Sequence, residues 1–174
     1  MDVAAVAETD AMDARRLRTL EDIESIRRLK ALYCRFSDRG FATAGADPDA
    51  FAGLFVPGGV WKVEGGPVRG RTAIAARLRA FGPFGFHLAV NGDFVVRGDA
   101  AVARWHALVP SIDLDRRAIW TAGIYDDEFL RTPEGWRFAR VTFTAAFRVP
   151  YAEGWGTPAR SSETRDQQSM SPLV

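Results

Sequence analysis

The residues able to move a proton are few and scattered: Asp38 at the end of "ALYCRFSDRG", Tyr33 shortly before it, His87 in "FHLAVN" and His106 in "ARWHALV". Imidazole titrates near cellular pH, so a histidine held in a dry pocket passes a proton in either direction at little cost. A carboxylate beside it orients the ring and favours its protonated form, opposing the desolvation that depresses its pKa. Asp38 is the candidate carboxylate. Tyr33 adds a phenolic donor for an oxygen on which negative charge develops. Residue types of this kind point to acid–base chemistry on a small molecule.

Both histidines fall in strand-like runs, where side chains alternate between the two faces. His87 then shares a face with Ala89 and Asn91, and His106 with Arg104 and Leu108, while Trp105 points the other way with Ala103 and Ala107. The letters do not decide which face is inward; if His87 and His106 both look inward, they converge on one cavity. Asn91 is then a second polar pocket residue or a strand-end cap. Trp61, Trp105 and Trp120 are packing residues in the simplest reading, and also candidate walls for an aromatic substrate.

The elements that must position these groups are legible in outline. From Thr19 the apolar residues Ile23, Ile26, Leu29, Leu32/Tyr33 and Phe36 recur with helical period, which describes one amphipathic helix. An acid at its end opposes the helix dipole. On an ideal helix Tyr33 and Asp38 lie about 140° apart, so they share a cavity only if the helix ends or bends near Ser37. Gly40 is consistent with an end there.

"DPDAFAGLF" reads as a short helix with Asp47 as N-cap and Pro48 in the first turn. "GGVWKVEGGPVRG" is a strand pair, and "RTAIAARLRAF" a third helix with Thr72 as N-cap. Four strand-like runs then follow from Phe86 to the end of "GWRFARVTFTAAFRV". Helices first and a meander afterwards indicate an α+β domain whose helices cover one face of a curved sheet. Residues 1–18 form an extension, 19–155 the domain and 156–174 a tail. No glycine cluster has a dinucleotide or P-loop spacing.

The 174 residues suit one domain, and 23 Lys+Arg against 22 Asp+Glu leave no field that would attract nucleic acid or an anionic membrane. The expected partner is a small, hydrophobic molecule. Cys34 is the only cysteine, which excludes an intrachain disulfide and fits a reducing, cytoplasmic setting. The N-terminus is acidic where a secretory signal is basic, and no apolar run approaches the roughly 20 residues of a membrane span. No helical i, i+4 ligand pair suggests a metal. Lys30 and Lys62 are the only lysines, a compositional habit with no functional content of its own.

"LKALYCRFSDRG", "LFVPGGVWKV", "VRGRTAIAARL", "FHLAVNGDFVVRGDAAVA", "GIYDDEFLRTPEGWRFAR" and "PYAEGW" together resemble the SnoaL-like branch of the nuclear-transport-factor-two-like superfamily, over roughly residues 19 to 155. The resemblance implies a cone: a strongly curved mixed or antiparallel sheet with N-terminal helices packed on its concave face around a deep apolar pocket. Within the superfamily the functional likeness is to cofactor-independent lyases, namely scytalone dehydratase, the bile-acid dehydratases and hexachlorocyclohexane dehydrochlorinase. These pair an aspartate near the end of the first helix with a histidine at the head of the first long strand, the positions of Asp38 and His87. Tyr33 matches a tyrosine of the bile-acid enzymes, His106 resembles a second histidine of scytalone dehydratase, and a final-strand arginine corresponds to Arg140 or Arg148.

The implied activity is elimination of water or retro-aldol-like cleavage of a hydroxylated ring compound, without cofactor or metal. Alternatives within the superfamily are a non-catalytic ligand-binding or dioxygenase small-subunit-like module, and a polyketide cyclase or isomerase. A homodimer or homotrimer is also implied.

Overall fold

The computed structural model describes residues 3–40 and 46–153. The tail 156–174 and the end of "PYAEGW" lie outside the described residues. Helix α1 (Val3–Ser37) begins inside the segment assigned from sequence to an extension, and residues 7–20 of it are exposed. Its buried positions are Ile26, Leu29, Lys30, Tyr33 and Ser37. The expected apolar stripe is therefore present, but two of its positions are polar.

Helix α2 (Pro48–Gly53) starts as expected: Asp47 accepts the Ala50 amide at 2.9 Å, and Pro48 occupies the first turn, where its missing N–H costs nothing. Strands β1 (Phe55–Val63) and β2 (Gly66–Arg69) pair antiparallel. Helix α3 (Arg71–Arg79) is preceded by Gly70 at φ +83, and no side chain caps it. Thr72 is therefore not the cap. Glycine's freedom at positive φ turns the chain off β2 directly into the helix, which leaves Thr72 inside the first turn.

The remaining strands are β3 (Phe84–Gly85), β4 (Leu88–Arg97), β5 (Ala100–Ile112), β6 (Ala118–Thr132) and β7 (Gly135–Pro150). The sheet runs β2-β1-β7-β6-β5-β3, with β4 also on β5; β1 lies parallel to β7 and every other pairing is antiparallel. Register breaks at Phe55/Val60, Val90/Asp93, Ala122/Gly123 and Glu128/Phe129 bend it. At Gly123 a Cβ would run into the Thr144 carbonyl, so only glycine lets β6 and β7 approach there. This is the curved mixed sheet, closed by N-terminal helices, that the sequence suggested.

The core lies between the concave face and the helices and is largely aromatic. Tyr33, Phe51, Phe55, Trp61, Tyr125, Phe129 and Phe138 are each at most 3% exposed, with ring centroids such as Tyr33–Phe51 at 4.8 Å and Phe55–Phe138 at 5.3 Å. Each large side chain so buried contributes about 1.5–3 kcal/mol from area alone.

One polar clamp ties α1 to the far end of the sheet. Asp22 accepts from Arg131 at 2.8 Å and from the Trp136 indole at 3.0 Å. The Arg131 hydrogen bond holds the Asp22 carboxyl below the usual carboxylate range. A lowered folded-state pKa contributes stability that is complete above the unfolded value, about 3.9, and is lost as pH falls through the folded one. Asp22→Asn should therefore be less stable than the parent in urea melts at pH 7, with the difference shrinking below pH 4.

Candidate active site

β3 and β4 run along the same edge of β5 and would be one strand but for Phe86 and His87. The Phe86 amide still donates to the Pro110 carbonyl at 3.0 Å. His87 turns away instead, and its backbone N–H donates to Asp38 Oδ1 at 2.8 Å. The same oxygen lies 2.8 Å from His87 Nδ1. Asp38 is brought there by the end of α1: the helix stops at Ser37, and Arg39 forms a β-bridge with Gly85, its amide donating to the Gly85 carbonyl at 2.9 Å. Gly40 follows at φ +84. The termination that the spacing demanded is present, and the Asp38 side chain is only 14% exposed.

The network assigns the imidazole proton. Ser37 Oγ lies 2.8 Å from the Tyr33 carbonyl and 3.0 Å from that of Cys34, so its single proton is committed to the helix and its oxygen faces His87 Nδ1, at 3.2 Å, as an acceptor. Nδ1 then carries the hydrogen, shared between Asp38 and Ser37. Nε2, on the ring edge away from Asp38, keeps the lone pair.

His87 lines a cavity of about 380 Å³. Its inner wall is Tyr33, Trp61, Tyr125 and Phe143, its flank Leu78 and Phe81 from α3 and the turn after it, and its mouth Glu64, Asp113 and Arg148. Trp61 donates its indole N–H to the Tyr33 hydroxyl at 2.9 Å, and the Tyr33 and Tyr125 rings meet edge-on with centroids 5.6 Å apart. Burial pushes both phenols well above their ordinary pKa, so they stay neutral hydroxyls that can offer a hydrogen bond. Burial likewise pushes the Cys34 thiol up to about 11, which removes it as a nucleophile at neutral pH. Arg39 closes the α3 side by donating to the carbonyls of Leu78, Phe81 and Gly82, a cation on a helix C-terminus.

Of the residues singled out from sequence, Tyr33, Asp38, His87 and Trp61 come together here. His106 does not. β5 buries Ala101, Ala103, Trp105 and Ala107, so His106 stands exposed on the opposite face beside Val90 and Ile124. Asn91 is corrected as well: it sits at the β4 bulge with φ +54, which breaks the alternation and leaves it exposed. Trp105 faces inward but packs on Phe94 at 5.0 Å in the core and is no cavity wall. Trp120 is on the outer face, its ring 6.3 Å from that of Tyr151. Arg140 pairs with Glu128 at 3.3 Å away from the cavity; Arg148 is the final-strand arginine that lines it, paired with Glu64 at 3.0 Å.

Sequence reasoning missed Ser37 and Tyr125. Tyr125 had a signal: strand alternation places it on one face with Thr121 and Asp127, both buried. Among the described residues no cluster of three or more His, Cys, Asp or Glu side chains could hold a metal ion, and no helix is long and apolar enough to cross a membrane.

A curved mixed sheet closed by N-terminal helices over one aromatic cavity defines a cone-shaped α+β protein with an internal site. The chain belongs to the SnoaL-like domain family, whose model matches residues 18–142. Among solved structures it is similar to an NTF2-like protein with a cystatin-like fold from Novosphingobium aromaticivorans, 33% identical over 76% of this chain and 86% of that one, with a TM-score of 0.60. It is also similar to hexachlorocyclohexane dehydrochlorinase LinA-type3 from Novosphingobium barchaimii, 18% identical, TM-score 0.66, over 84% and 99% of the two chains. A Novosphingobium aromaticivorans protein provisionally assigned as a scytalone dehydratase is 21% identical, TM-score 0.66, over 76% and 89%. At the last two identities the likeness is one of fold alone. The uncharacterized protein Rv2910c of Mycobacterium tuberculosis is 36% identical over 74 residues, 40% of this chain; the chain spans about half the length of the curated relatives it matches.

The helix end is the joint on which the pair depends. At Gly40 a Cβ would lie 2.5 Å from Phe84 Cδ2, at a φ that L side chains rarely adopt. Gly40→Ala should lower the unfolding free energy by about 1–2 kcal/mol, and hydrogen exchange should show faster amide exchange at Arg39 and His87.

Proposed function

We propose that this chain is a cofactor-independent lyase acting on a small, hydrophobic, hydroxylated ring compound. The observation that carries the reading is the His87 imidazole, held by Asp38 through Nδ1 with Nε2 free, in an aromatic cavity opposite two neutral phenols.

In an elimination, Nε2 takes the proton from carbon and the electrons of that C–H bond form the new C=C bond. The neighbouring C–O bond breaks with its electrons going to oxygen, and a proton from the Tyr33–Tyr125 pair completes the departing water. The imidazolium then returns its proton to the phenolate through that water, which restores the site. Asp38 stabilises the imidazolium while it lasts. Tyr33 and His87 have ring centroids 6.4 Å apart in an edge-on arrangement, so one two-carbon unit of a substrate can meet both. The same groups serve retro-aldol-like cleavage, with Nε2 taking a hydroxyl proton and the phenols holding the developing enolate oxygen.

The apolar wall suits a ring, and the polar groups at the two ends fix its orientation. The similarity in fold to a dehydrochlorinase and to a provisionally assigned dehydratase supports an elimination over other chemistries of this cavity. The competing reading is a container that binds without turnover.

The test is product analysis with a panel of cyclic β-hydroxy carbonyl compounds. His87→Ala and Asp38→Asn should each lower turnover by about 10²–10⁴-fold with unchanged circular dichroism, while His106→Ala, altering only the outer face, should leave it unchanged. Undiminished rates in both site variants, or binding of the panel with no turnover at all, would remove the lyase reading.

A further inference from the structure

The mechanism leaves one buried charged pair unused. Lys30 Nζ bonds Asp127 Oδ2 at 2.8 Å, with the two side chains 2% and 0% exposed. Removing two charges from water costs several kcal/mol apiece, and an apolar pair of the same volume is often at least as stable. Stability alone is therefore a weak reason for the pair to be there. Its surroundings are more specific. The ammonium lies 3.5 Å from the Tyr125 ring centroid and 4.4 Å from that of Tyr33, the two tyrosines that line the cavity edge-to-face.

The direction of the indole bond adds to this. Trp61 donates to Tyr33, so one lone pair of that hydroxyl is committed. Both tyrosines line the cavity, where a phenol proton can be offered to whatever occupies it. A cation against the ring faces withdraws electron density from both phenols and makes such a proton a stronger hydrogen-bond donor.

We propose that Lys30, held by Asp127, is a positioning residue that polarises the Tyr33–Tyr125 pair toward an oxygen of the bound molecule. The proposal rests on the reading of those phenols as the donors of the site. It deepens that reading by placing the discriminating contact on the ligand: an oxygen bearing or developing negative charge, bonded to an aromatic or enolic carbon, seated against the phenols.

The test is an equilibrium one, using 2-naphthol and naphthalene as probes and protein fluorescence as the signal. Lys30→Gln/Asp127→Asn removes both charges and keeps a hydrogen-bonded pair of similar size. The parent protein should prefer 2-naphthol, and the double variant should lose about ten-fold of that preference with its naphthalene affinity unchanged. Tyr125→Phe should lose the preference in the same way. An equal preference in parent and double variant, a matching loss for both probes, or no preference in the parent, including failure to hold either probe, would overturn the proposal. Should the amide pair not fold, Lys30→Met/Asp127→Leu provides an apolar replacement for the same comparison. Because no turnover is involved, this outcome is separable from that of the lyase reading, which the His87 and Asp38 variants decide.

Discussion

A single carboxylate oxygen, Asp38 Oδ1, accepts both the backbone N–H and the ring Nδ1 of His87, and the architecture of the site follows from that double acceptance. A buried amide needs a partner. The Phe86 N–H points to β5 and the Gly85 N–H and C=O point away from it to Arg39, so ladder alternation sends the His87 N–H to the Arg39 side, where Asp38 is the acceptor. Strand alternation puts His87 on the inner face with Gly85 and Ala89, and Asp38 then fixes the imidazole through the backbone and the ring at once. The helix end, the Arg39–Gly85 bridge and the positive φ of Gly40 serve the same junction.

Helix α1 contributes more than a lid. Its buried stripe carries Lys30, Tyr33 and Ser37 among the aliphatic residues, and each polar group has a defined partner: Asp127 for Lys30, the donating Trp61 indole for Tyr33, and the Tyr33 carbonyl and His87 for Ser37. Buried polar groups are tolerated when satisfied and costly when not. One helix therefore delivers three of the polar contacts around the cavity, and any rotation of it about its axis would strand all three at once.

The cavity also divides its labour by position. The Asp38–His87 pair sits at one end, held by backbone as well as side chain. Groups locked in their neutral form by burial sit against it. Charges at the mouth are paired, Glu64 with Arg148 and Asp113 with Arg117.

Periodicity alone determined a good part of this. The 3.6-residue stripe of α1, the Asp47–Pro48 helix start and the four long strands are local properties, and a helix that stops at Ser37 was required before Tyr33 and Asp38 could share a cavity. Alternation also sorted the side chains of each strand correctly into two sets, with His106 opposite Trp105. It could not say which set was inward, because that depends on where α1 packs; His106, Trp120 and Arg140 consequently belong to the outer face. Nor could it foresee the bulge that exposes Asn91, or that one of two lysines would lie in the core against an aspartate 97 positions away. Local spacing dictates which residues travel together; only the closure of the sheet on the helix decides which of those groups meet, since burial and pairing are properties of distant segments brought into contact.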